Sequence, residues 1–70
     1  MTVTPSPALQ IELLSEEQSQ LIFFRDRHYR WMKDTEDKEV HYLHTRVANL
    51  LKETIDEYDD LLGALQMQRG

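Results

Sequence analysis

The sequence predicts an all-α fold, a two-helix antiparallel hairpin that self-associates into a helical bundle. Residues 8–62 contain neither proline nor glycine, so no residue there interrupts a helix. From Val40 to Leu65, apolar side chains recur every three or four residues with charged residues between them. That spacing places the apolar side chains on one face of a helix. A polar stretch at residues 33–38 divides the helical sequence into two parts.

The first residues of the chain divide into a tail and an arm. Residues 1–7 are small and polar and include both prolines, which predicts a disordered tail. Residues 8–14 are an apolar arm, for which the sequence leaves two conformations open. Their alternation of apolar and polar side chains is typical of an extended segment. The preceding Ser6-Pro7 pair fits the first turn of a helix, with proline at its first position.

Residues 15–70 are predicted to form the hairpin domain, and its short first helix is expected over about residues 15–33. Ser15 and Gln18 fit a capping box, in which each side chain hydrogen-bonds to the backbone amide of the other residue. This pair therefore marks the expected start of the helix.

The long second helix is predicted over about residues 36–67, after a tight turn near residues 33–36. Asp34 and Thr35 are favourable N-caps, and the acidic residues that follow complement the positive end of the helix dipole. No glycine closes the first helix. The alternative is one continuous helix of about 50 residues, which would have to oligomerise to bury its apolar stripe.

The unequal lengths of the two predicted helices indicate self-association. At a rise of about 1.5 Å per residue, the second helix is about 48 Å long and the first about 28 Å. A short first helix covers only part of the apolar stripe on the second, unless the arm or another protein covers the rest. We therefore predict a homo-oligomer, with a dimer favoured, whose interface consists of Ile55, Tyr58, Leu62 and Leu65.

A surface for a protein partner is predicted on the first helix. Phe23 falls on the side away from the apolar stripe, among charged residues. Aromatic residues and arginine contribute much of the binding energy at protein interfaces. The candidate partner-binding site comprises Phe23, Arg27, Arg30 and Trp31.

Composition and motifs argue against several functional classes. The net charge of −5 disfavours direct nucleic-acid binding, because phosphates would be repelled. The chain has no cysteine and no catalytic motif, so we predict no enzyme activity, no catalytic residue and no cofactor. No apolar run approaches the roughly 18 residues of a membrane span. The lack of cysteine suits a reducing compartment, and together these features predict a cytoplasmic protein without a membrane partner.

The function predicted from these features is that of a small non-enzymatic protein-binding protein, a regulatory or assembly adaptor that acts through a helical surface. One alternative is an acidic inhibitor, of the kind that phages encode, which blocks a nucleic-acid-binding enzyme. Its surface would be the acidic segment Glu53, Asp56, Glu57, Asp59 and Asp60.

A second alternative is a histidine-dependent metal-binding helical bundle. His41 and His44 lie three residues apart on one helical face, and His28 would lie almost opposite His41 in a hairpin. A closed metal site needs a third and a fourth ligand, for which only Asp37 and Glu39 are near. We therefore predict no metal site.

Overall fold

The protein is an antiparallel hairpin of two α-helices, α1 (Pro7–Asp34) and α2 (Lys38–Arg69). The structure, a computed structural model, describes residues 6–69, with side chains to residue 68. The two helices pack side by side along an elongated body of 50 × 24 × 15 Å. This architecture confirms the predicted all-α hairpin. Within residues 6–69, neither helix is long and apolar enough to cross a membrane.

Helix α1 begins earlier than the capping box at Ser15 predicts. Ser6 is its N-cap, with its Oγ accepting a hydrogen bond from the Leu9 amide at 3.3 Å, and Pro7 occupies the first turn. The arm is therefore helical, which was one of its two open conformations. Ser15 lies inside the helix, where its carbonyl accepts from the Ser19 hydroxyl at 3.0 Å. The predicted disordered tail lies outside the described residues over positions 1–5, and its last two residues belong to the cap and the helix.

The turn between the helices covers residues 35–37, so the continuous-helix alternative is wrong. Thr35 leaves the helical conformation, with φ −94° and ψ 140°, and its amide still donates to the Trp31 carbonyl at 3.1 Å. Asp37 caps α2, because its Oδ1 accepts from the amides of Glu39 at 2.9 Å and Val40 at 3.1 Å. The cap is therefore Asp37, and the predicted caps Asp34 and Thr35 belong to the end of α1.

The longer α1 changes which residues of α2 are covered. Gln18 donates to the Ile55 carbonyl at 3.2 Å, while the rings of His28 and His44 meet near the turn. In this register the first turns of α1 lie opposite the last turns of α2. The buried core consists of Ala48, Ile55 and Leu65, which are 0%, 5% and 6% exposed.

This burial corrects the predicted oligomer interface. Ile55 and Leu65 are core residues of the hairpin itself, and Tyr58 and Leu62 are half-buried beside them. Tyr58 also donates its hydroxyl proton to Glu17 at 2.8 Å. The prediction placed these residues in an interface between two copies because it began the first helix at residue 15. The helical turns of α1 before residue 15, which cover them, were therefore left out. Self-association is still a prediction, and its interface would have to be a surface other than these four residues.

Candidate protein-interaction surface

One side of the hairpin carries a row of exposed apolar side chains. On α2 the row follows positions 40, 43, 47, 50, 54, 57 and 61, each one residue before a position that faces α1, and it is apolar except at Thr54 and Glu57. Helix α2 therefore has two adjacent apolar stripes, of which α1 covers one. Exposed fractions along the row run from 37% for Phe24 to 57% for Leu50. We call this surface the apolar face, and its members are Leu13, Phe24, Trp31, Val40, Leu43, Val47, Leu50 and Leu61.

The apolar residues of the two helices lie on the same side of the hairpin. Because the helices are antiparallel, residues that precede the inward-facing stripe on each helix turn toward a common side. Trp31 illustrates the arrangement: its ring centroid lies 5.5 Å from the ring of His28 on its own helix and 5.5 Å from that of His44 on α2. The other side carries exposed polar residues such as Ser19, Asp26, Lys52 and Asp56. The hairpin as a whole is therefore amphipathic.

An arginine packed among aromatic rings forms the edge of the apolar face near the turn. The Cζ atom of Arg27 lies 4.9 Å from the ring centroid of Trp31, 5.1 Å from that of Phe24 and 5.7 Å from that of Phe23. Such cation–π contacts hold a guanidinium in place without neutralising its charge. The Arg27 Nε atom is buried and has no hydrogen-bond partner among the described residues. The cluster therefore presents an oriented positive charge.

Three of the four predicted partner-binding residues meet in this cluster. Phe23 is 59% exposed and Trp31 is 44% exposed, with Arg27 between them. Arg30 is exposed, but its guanidinium does not stack on these rings in the described part of the chain. The predicted site did not include Phe24, which is 37% exposed and whose ring centroid lies 5.1 Å from the Arg27 Cζ atom. Its spacing of seven residues from Trp31 is the signal that could have placed it on the same exposed row.

A pair of histidines lies under Trp31, between the helices. The Nδ1 atoms of His28 and His44 are 2.9 Å apart, so one ring donates a proton and the other accepts it. At least one of the two rings is therefore neutral. Burial, the neighbouring His44 and the Arg27 guanidinium lower the pKa of His28 from its ordinary value.

His41, which the sequence placed almost opposite His28, is separate from this pair, because His28 contacts His44 instead. The Nδ1 atom of His41 lies 3.1 Å from the Met32 carbonyl, at the start of α2. Within the described residues, no group of three or more histidine, aspartate or glutamate side chains is arranged to hold a metal ion. His28, whose pKa is lowered, is the group in this cluster that links the fold to pH.

Acidification is therefore expected to destabilise the fold. The pKa of His28 is lowered in the folded chain, so below about pH 6.5 the unfolded chain binds more protons than the folded chain. The free energy of unfolding should decrease as the pH falls from about 7.5 to about 5.5, measured as the urea midpoint at fixed protein concentration. His28→Gln removes the titrating group and should flatten this dependence. An equally steep dependence in both proteins would contradict the assignment.

Charged residues are distributed unevenly along the apolar face. Near the turn, Arg27 on α1 and Arg46 on α2 lie at the same level, because the neighbouring His28 and His44 are in contact. The residues at the corresponding positions toward the open end of the hairpin, where the helices are not connected, are acidic. Glu17 on α1 accepts a hydrogen bond from Tyr58 on α2, and Glu57 directly precedes Tyr58. The carboxylates of Glu17 and Glu57 therefore also lie at the same level.

Comparisons of the chain with protein-family models, with curated proteins and with solved structures found no match.

Proposed function

We propose that the chain is a small non-enzymatic protein-binding protein, a cytoplasmic regulatory or assembly adaptor that acts through the apolar face. The observation that carries this proposal is the cluster of exposed apolar side chains that both helices contribute near the turn, namely Phe24, Trp31, Val40, Leu43, Val47 and Leu50. Single exposed apolar residues are ordinary in soluble proteins, whereas a contiguous patch rimmed by polar residues is typical of an interaction site.

A second copy of the chain is the primary occupant in this proposal. Eight large apolar side chains on this face are each between 37% and 57% exposed, and the same face of a second copy would cover them. Two hairpins with their apolar faces together would form a four-helix bundle, in which α2 buries both of its stripes.

The outer side of α1 supplies a surface for a different protein. Phe23 and Arg30 are exposed beyond the edge of the apolar face, so a dimer formed through that face leaves both accessible. An exposed aromatic side chain beside a guanidinium is a favourable anchor for an acidic partner. The adaptor role therefore combines self-association on one side with capture of a second protein on another.

Charge on the apolar face is expected to abolish self-association. The native chain should sediment as a dimer at micromolar concentration, whereas Val47→Glu combined with Leu50→Glu should give a monomer, because two carboxylates would be desolvated at the interface. Asn49→Glu is the matched control, since Asn49 is exposed on the polar side of the same helix. A native particle of 8.4 kDa with a concentration-independent melt would overturn the proposal.

A further inference from the structure

The charged residues along the apolar face distinguish between two ways of pairing two copies. A twofold axis across the hairpin gives antiparallel hairpins, in which α2 lies on α2 and the turn of one copy meets the open end of the other. A twofold axis along the hairpin gives parallel hairpins, in which α1 lies on α2 and both turns are at the same end. These are the two face-to-face arrangements with twofold symmetry.

The parallel arrangement brings like charges together. Arg27 and Arg46 lie at the same level within one hairpin, so α1 of one copy would place its Arg27 against Arg46 of the other. By the same reasoning, Glu17 would meet Glu57 at the open end. Each contact occurs twice in the dimer, and like-charge contacts at an interface disfavour that arrangement.

The antiparallel arrangement brings opposite charges together. On α2 the apolar face runs from Val40 to Leu61, and Arg46 and Glu57 lie on either side of its midpoint at comparable distances. A twofold axis through that midpoint therefore places Arg46 of each copy near Glu57 of the other. On α1, Arg27 and Glu17 lie on either side of the midpoint of the face in the same way.

From this complementarity we propose that the apolar face binds a second copy in the antiparallel orientation, with Arg46 of each chain opposite Glu57 of the other and Arg27 opposite Glu17. The inference rests on the proposed function, because it specifies the geometry of the same interface. The apolar contacts supply most of the affinity, and the four charge pairs select the orientation. The Arg27 guanidinium, held by its three aromatic rings, is already oriented for such a contact.

Charge reversal at one pair tests the orientation. In antiparallel dimers, Arg46→Glu faces Glu57 and Glu57→Lys faces Arg46, so each variant should raise the dimer Kd roughly tenfold at low salt. A mixture of the two variants should restore the native Kd by forming heterodimers, and the double variant Arg46→Glu/Glu57→Lys should also restore it. The readout is sedimentation equilibrium, with Lys52→Glu on the polar side as the control that leaves the Kd unchanged.

The opposite result identifies the parallel dimer. There, Arg46→Glu would face Arg27 and Glu57→Lys would face Glu17, so each single variant would tighten the dimer, and that result would overturn the inference while leaving the proposed function intact. Dimers whose Kd is unchanged in both single variants would overturn it as well. A native chain that stays monomeric would overturn the proposed function itself, so the two failures are distinguishable.

Discussion

Replacement of Ile55 with alanine is expected to lower the free energy of unfolding by about 2–5 kcal/mol. The side chain is 5% exposed and lies in the middle of the contact between the helices, where Gln18 hydrogen-bonds to its carbonyl. Truncation removes buried apolar surface and leaves a cavity that two rigid helices fill poorly. The free energy of unfolding of a domain of this size is only a few kcal/mol, of the order of this loss. The variant should therefore be largely unfolded near physiological temperature. Urea denaturation followed by circular dichroism measures the effect.

Phe23→Ala is the comparison for this experiment. Phe23 is larger than isoleucine but is 59% exposed, so its truncation should cost less than about 1 kcal/mol. Leu51 and Leu62, which the helical periodicity marks as core positions, are half-buried and should give intermediate losses. Equal losses for Ile55→Ala and Phe23→Ala would show that the assignment of inner and outer faces is wrong.

A larger side chain at position 48 should also destabilise the hairpin strongly. Ala48 is 0% exposed, so its methyl group is fully enclosed between the helices. Ala48→Leu would force the helices apart or its neighbours out of their rotamers, at a cost of about 1–3 kcal/mol. Thermal unfolding at a fixed protein concentration is the measurement.

Ala64→Leu provides the matched control, since Ala64 lies on the same helix and is exposed. The two substitutions make the same change in helix propensity, which is small for alanine and leucine. Any difference in melting temperature between the two variants is therefore due to packing where the two helices are in contact. Similar melting temperatures for both variants would show that the helices are not in close contact at position 48.

The local sequence was sufficient to predict two helices, their antiparallel arrangement and the approximate position of the turn. The absence of proline and glycine between positions 8 and 62 and the period of the apolar side chains determine helical structure whatever the neighbours are. The exposure of Phe23 also followed from its helical angle alone. These properties depend on spacing within one helix.

The start of α1 was not predictable in the same way. Ser6 and Ser15 both offer a side chain suited to an N-cap, and local capping energies are similar. The difference comes from packing, because residues 11 and 14 become half-buried against the end of α2 when the helix begins at Pro7. That burial is a contact between distant parts of the chain, and no local pattern contains it.

The sequence by itself therefore determined the helical secondary structure and the apolar surface of α2, and it favoured the hairpin over one continuous helix. Only the tertiary structure decided how that surface is divided. Because α1 is nearly as long as α2, it covers Ile55 and Leu65, and the stripe from Val40 to Leu61 stays exposed beside it. Helix periodicity gives the angle of each side chain about its own axis, but the direction from which the second helix approaches depends on contacts along its whole length. That direction separates the core residues from the candidate interaction surface.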